Sequence, residues 1–111
     1  MLSQKHRLSK SADVKKTTAR GRSFFNPLFV IKFLPGGDEP RITVIASVKV
    51  SKKAVERNRV KRILRDELSK HVRKFRAGDY AFIVKAQAIK VPPTELRQAL
   101  IKSLTVSKII Q

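Results

Sequence analysis

Residues 54–75 read AVERNRVKRILRDELSKHVRKF, and the spacing inside this stretch decides the architecture around it. At 100° per residue, Val60, Ile63, Leu64, Leu68 and Val72 fall in one sector, as in a helix that buries one stripe against a sheet. The opposite sector collects Asn58, Arg59, Arg62, Arg65, Ser69 and Arg73, with Lys61 on the flank and Arg57 toward the sheet side at the helix start. An ordinary solvated helix face mixes its charges, because opposite signs at i,i+4 support the helix. This face is cationic until Asp66 and Glu67, and arginine is the cation whose planar fork matches phosphate. The pattern points to contact with RNA or DNA.

The neighbouring segments supply the sheet that the apolar stripe needs. Residues 28–34 alternate Phe29, Ile31 and Phe33 on one face with Val30 and Lys32 on the other, as a strand does. The turn-rich PGGDEP then leads to RITVIASVKV, residues 41–50, whose β-branched residues predict an antiparallel hairpin partner. Ser51 is placed to cap the long helix, and Ala77, Gly78 and Asp79 to close it. Residues 80–86 predict a third strand. Pro92 and Pro93 open a last helix in which Leu96, Leu100 and Leu104 recur every four residues. Ahead of the sheet, SADVKKTTARG (residues 11–21) predicts a short first helix with Ser11 as N-cap, Asp13 in its first turn and Gly21 just past its end. Residues 1–10, His6 among them, are expected to form a flexible basic tail.

Composition agrees with one RNA-binding domain spanning residues 1–111, since this length and a 41% apolar content suffice for one modest core. Lys and Arg number 26 against 8 Asp and Glu, a formal net charge of +18, which a polyanion would neutralise. Residues 1–23 carry +6 and residues 49–76 carry +9, so cations and core-building strands are separated along the chain. The sequence lacks a long apolar run, and MLSQKHRLSK does not resemble a secretory signal, so a cytoplasmic location without membrane contact is expected. The absence of cysteine excludes disulfides, thiolate metal sites and cysteine nucleophiles. A protein nuclease needs convergent carboxylates or an acid and base pair. Asp38 with Glu39 and Asp66 with Glu67 are the only adjacent acids, and they read as solubilising charges on a loop and a helix. His6 and His71 have no metal-ligand spacing; His71, in the apolar sector, reads as a partly buried packing residue.

The stretch VSKKAVERNRVKRILRDEL, residues 50–68, resembles the signature of the bacterial ribonuclease P protein component. The resemblance extends to Arg7 and Leu8, to LFVIKF and to GDYAFIVK, and so covers nearly the whole chain. It implies an α/β (α+β) two-layer sandwich in the order helix, strand, strand, long helix, strand, helix. A left-handed βαβ crossover surrounds the long helix, as in the ribosomal protein S5 domain 2-like fold. It implies the protein subunit of an endoribonuclease that removes the 5′ leader of precursor tRNA, with hydrolysis performed by the catalytic RNA. Mg2+ is then bound mainly by that RNA, no cofactor is intrinsic to the protein, no catalytic or metal-binding residue belongs to it, and one monomer is expected per RNA.

By the same resemblance, Lys52, Lys53, Arg57, Asn58, Arg59, Lys61, Arg62 and Arg65 contact the catalytic RNA. A cleft between the first helix and the sheet takes the single-stranded leader, involving Val14, Lys15, Thr18, Phe24, Phe25 and Lys32. Val14, Thr18 and Lys32 stand where relatives often carry aromatics for stacking, and the approach to the long helix is a few residues shorter than the family pattern. Phe29 reads as core by alternation, leaving Phe24 or Phe25 for exposure. The alternative is a small basic ribosomal or other structural RNA-binding protein, although such proteins more often place their cations in disordered tails. A nucleoid DNA binder would be expected to show a dimerisation heptad or a helix-turn-helix.

Overall fold

The computed structural model of the chain describes residues 4–110, and its centre is one four-stranded sheet. Along the chain come α1 (Ser11–Arg20), β1 (Arg22–Phe25), β2 (Phe29–Pro35), β3 (Pro40–Ile45), α2 (Ala54–His71), β4 (Gly78–Val84) and α3 (Pro93–Val106). The strand order is β1-β2-β4-β3. Strands β1 and β2 pair antiparallel, as do β2 and β4, whereas β3 and β4 run parallel with α2 as their crossover.

One face of the sheet builds the core. Phe29, Ile31 and Phe33 of β2, Ile42 and Val44 of β3, and Tyr80, Phe82 and Val84 of β4 are all buried. Register makes them cross-strand neighbours, Phe33 opposite Tyr80 and Ile31 opposite Phe82. Val60, Ile63, Leu64 and Leu68 of α2 close over them with Leu96, Leu100 and Leu104 of α3. Full burial of such side chains stabilises the fold by about 1.5–3 kcal/mol each. The Phe33 and Tyr80 rings stack with centroids 4.6 Å apart, and the Tyr80 hydroxyl donates to the Arg76 carbonyl at 2.6 Å. The second, outer face carries Lys32, Thr43, Arg41, Asp79 and Ala81 by the same register, and α1 packs there against β2 and β4.

The expected hairpin between residues 28–34 and 41–50 does not form, because β4 lies between them. Pro35 and Pro40 are both register partners of Gly78, so the intervening loop arches over the start of β4. Gly78 has φ +150, and a Cβ there would lie 2.6 Å from the Phe33 ring and 2.7 Å from the Leu34 carbonyl oxygen. A glycine is needed for both reasons. The expected strand to residue 50 stops at Ile45, where a turn closes through Val50 N–H to the Ser47 carbonyl at 3.0 Å.

Other expectations shift by local chemistry. Strand β1 was not foreseen; it is four residues long and lies at the sheet edge. Neither predicted N-cap serves as one: Lys10 and Lys53 occupy those positions without side-chain caps. Gly21 does end α1, with φ −68 and its N–H on the Thr17 carbonyl. It is demanded by close approach, since a Cβ would lie 2.5 Å from that oxygen and 3.1 Å from the Phe33 backbone. The long helix ends at His71 and continues as a 3-10 turn over Val72–Lys74.

The tail expected at residues 1–10 is docked over its described part. His6 is buried, and its Nδ1–H donates to the Pro40 carbonyl at 2.9 Å. Leu8 is 3% exposed and its N–H donates to the Ile42 carbonyl at 2.9 Å. The segment thus covers the free edge of β3, the position most exposed to unwanted strand pairing. Residues 1–3 lie outside the described residues.

Candidate nucleic-acid interface

The approach to α2 is fixed by its own side chains. The Ser51 hydroxyl accepts from the Lys53 N–H at 3.1 Å and donates to the Glu56 carboxylate. Arg57, half-buried, donates to the Ser51 carbonyl at 2.8 Å. Lys52 and Lys53 are left exposed on the rim of the helix start. Arg57 therefore shapes this corner as well as charging it.

Beyond that corner, Asn58, Arg62 and Arg65 are exposed and Arg59 and Lys61 half-buried. Among the described residues none of the cations Lys52, Lys53, Arg57, Arg59, Lys61, Arg62 and Arg65 is ion-paired to a carboxylate. The structure brings these sequence-predicted residues together on and beside one helix, opposite the buried stripe.

The acids of α2 are engaged elsewhere. Arg97 of α3 donates to Asp66 Oδ2 at 2.8 Å and to Glu67 Oε1 at 3.0 Å. His71 Nε2–H donates to Glu67 Oε2 at 2.8 Å, and Lys70 Nζ lies 3.7 Å from Glu67 and 3.8 Å from Asp66. Glu67 is only 6% exposed, which corrects its reading as a solubilising charge. Burial raises its carboxyl, but hydrogen bonds from His71 and Arg97 and the Lys70 charge outweigh burial and hold it below its ordinary value. His71 is partly buried as expected, with Glu67 as its partner.

The residues expected in a leader cleft separate into four places. Val14 lines a cleft of about 450 Å³ with Arg7, Ser9, Thr43 and Arg65, between α1, the β3 edge and α2. Lys15 is exposed and Thr18 half-buried on α1, the Thr18 hydroxyl donating to the Lys15 carbonyl at 3.0 Å. Lys32 and Phe25 lie toward β1 on the outer face, Lys32 donating to the Ser23 hydroxyl. Phe24 is turned to the core face beside Ile31 and packs against the core, so it leaves the cleft. Phe25 is the exposed ring, at 77%.

Sequence reasoning missed the clamp that seats α1. Arg41 donates to both Asp79 oxygens at 2.8 Å and to Asp13 of α1 at 3.4 Å, and the Asp79 hydrogen bond raises the Arg41 pKa despite burial. A lone arginine between strand residues carries no local signal for two acids 28 and 38 positions away. Among the described residues no three His, Asp or Glu side chains converge as metal ligands, and no helix is long and apolar enough to cross a membrane.

Comparison with known proteins matches this arrangement. The family model described as Ribonuclease P matches residues 2–108. The ribonuclease P protein component of Dehalococcoides mccartyi is 38% identical over 100 residues, covering 89% of this chain and 82% of that protein. That of Xanthomonas euvesicatoria is 34% identical over 87 residues, and the match spans 78% of this chain but only 59% of the relative's length. A solved Staphylococcus aureus RNase P protein superposes with a TM-score of 0.88 at 26% identity, covering 96% of this chain and 98% of that one. The Thermotoga maritima RNase P protein, solved with 1-(4-fluorophenyl)-2-thiourea, shares the fold at a TM-score of 0.78 and 24% identity, over 86% of this chain and 94% of that one. With the cationic α2 face and the α/β core already in place, these matches establish that the chain belongs to the ribonuclease P protein family.

Proposed function

We propose that this chain is the protein subunit of a ribonuclease P ribonucleoprotein, an endoribonuclease that removes the 5′ leader from precursor tRNA. The observation that carries the proposal is the α2 face, where among the described residues the cations at 57–65 stand without acidic partners while Asp66 and Glu67 are drawn away by Arg97. Such a face neutralises RNA phosphates and releases their counterions on binding.

In this reading Lys52, Lys53, Arg57, Asn58, Arg59, Lys61, Arg62 and Arg65 hold the catalytic RNA, one protein monomer to each RNA, in the cytoplasm. The leader lies on the outer face between α1 and the strands, past Val14, Lys15 and Thr18 toward Lys32. Charge substitutes for stacking there, with Lys32 contributing to phosphate neutralisation. In this reading Mg2+ would be held mainly by phosphates of the RNA and would supply the Lewis acid for hydrolysis. The protein's own part is to bind and orient.

The test is reconstitution with a bacterial ribonuclease P RNA at low magnesium. Cleavage of precursor tRNA is expected only when the protein is present. Precursor should bind more tightly than mature tRNA, with a preference that shrinks as salt rises, and Lys32→Ala should reduce it more than Thr18→Ala. RNA cleavage unaffected by the protein at any magnesium concentration would reject the proposal and leave a structural RNA-binding role.

A further inference from the structure

We infer that the groove between β1 and α3 is a second site for single-stranded RNA, taking leader nucleotides that run past the outer face; this rests on the function proposed above. The groove has a volume of about 670 Å³. Phe25 and Asn26 form one side of it, and Lys102, Val106 and Lys108 the other. The Asn26 side-chain amide donates to the Ser103 hydroxyl at 2.9 Å, which ties the two walls together.

Three observations favour an RNA strand as the occupant. The lining residues include no carboxylate, and among the described residues Lys102 and Lys108 have no acidic partner. Charge complementarity is therefore to a polyanion. A helix C-terminus attracts lysine on its own account, but that does not explain a phenylalanine left 77% exposed beside it. An open ring flanked by cations is what sequence-tolerant binding of unpaired bases requires.

The third observation is continuity. Ser23 and Phe25 point to the outer face of β1, where Ser23 accepts the hydrogen bond from Lys32. A strand of RNA laid along Lys32 crosses β1 at Ser23 and meets Phe25 two residues further, at the mouth of the groove. The base stacks on Phe25 and its phosphates lie toward Lys102 and Lys108.

The experiment compares the reconstituted holoenzyme on precursor tRNAs with a short and a long leader. Wild type should bind the long-leader precursor more tightly. Phe25→Ala should weaken that binding roughly 5- to 140-fold, the range of one lost stacked base. Lys102→Ala with Lys108→Ala should lower the magnitude of its salt slope by about 1.4, if each lysine neutralises one phosphate. That double variant should cleave the short-leader precursor at the wild-type rate. Equal losses on both precursors, or none, would overturn the groove site. So would a leader-length effect absent from wild type, or a Phe25→Ala change confined to self-association in sedimentation. A wild-type holoenzyme that cleaves neither precursor would instead bring down the functional proposal, and this inference with it.

Discussion

Replacing Arg62 and Arg65 together by alanine tests the α2 interface without touching the core. Both side chains are exposed, and among the described residues neither is ion-paired to a carboxylate. The fold therefore loses no hydrogen bond or ion pair of theirs to another described residue, and stability should stay within about 0.5 kcal/mol of wild type. Binding should not. If each guanidinium neutralises one phosphate, the slope of log affinity against log salt falls in magnitude by about 0.7 to 0.9 per residue, or about 1.4 to 1.8 for the pair. Over a fourfold rise in salt that difference compounds to about a 7- to 12-fold change. The double variant's deficit against wild type should thus be about 7- to 12-fold smaller at the higher salt. The assay is a filter or anisotropy titration against the catalytic RNA at several salt concentrations, with thermal melting as control. Parallel salt plots with equal affinities would refute the interface. A lowered melting point would show that the helix is rotated from the orientation described.

Leu64→Ala is the contrasting core change: the side chain is fully buried, and denaturant titration should show a loss of about 2–5 kcal/mol. Gly78→Ala forces a residue with a Cβ into φ +150 against the Phe33 ring and Leu34 carbonyl; strain plus overpacking should cost about 2–5 kcal/mol, read as a shifted denaturation midpoint. Glu67→Gln should cost about 1–3 kcal/mol at neutral pH through its bonds to Arg97 and His71. Because the folded carboxyl sits below its ordinary 4.5, the wild-type advantage is present above that value and is lost as pH falls through the lower folded one. Urea titrations of both proteins against pH should converge in acid, and a gap that persists there would refute the linkage.

The long helix was legible because its period is unambiguous: Val60, Ile63, Leu64 and Leu68 are buried in the structure as their spacing implies. Pairing was not. The alternation of residues 28–34 and the β-branched run of 41–45 specify faces, not neighbours, and the loop between them is as short as a hairpin loop. YAFIV has no polar side chain on either face after Tyr80, as suits an interior strand, but β2 also lies between two strands and carries Lys32 on its outer face, so polarity along the strands does not reveal the order. Strand β1 was hidden by its length, since RSFF offers too few residues for alternation to register. The cations at 57–65 could be found because they are contiguous. The clamps of Arg97 on Asp66 and Glu67, and of Arg41 on Asp13 and Asp79, join positions far apart in sequence, and no local pattern announces them.

Those clamps bear on why an all-cationic helix face survives in the free protein. Arg57 with Lys61, Lys61 with Arg65, Arg59 with Arg62, and Arg62 with Arg65 are like-charged neighbours at i,i+3 or i,i+4. Together they destabilise α2 by about 1–2 kcal/mol. Burial of Val60, Ile63, Leu64 and Leu68, at about 1.5–3 kcal/mol each, exceeds that several-fold. The helix is therefore held by its core side and can leave the repulsion on its other side unrelieved. The acids of α2 that could relieve it are engaged: Glu56 accepts from the Ser51 hydroxyl, and Asp66 and Glu67 are held by Arg97 of α3 and by the last turn of α2 itself. A polyanion is then the partner that removes the repulsion, and by mass action its binding stabilises the folded chain.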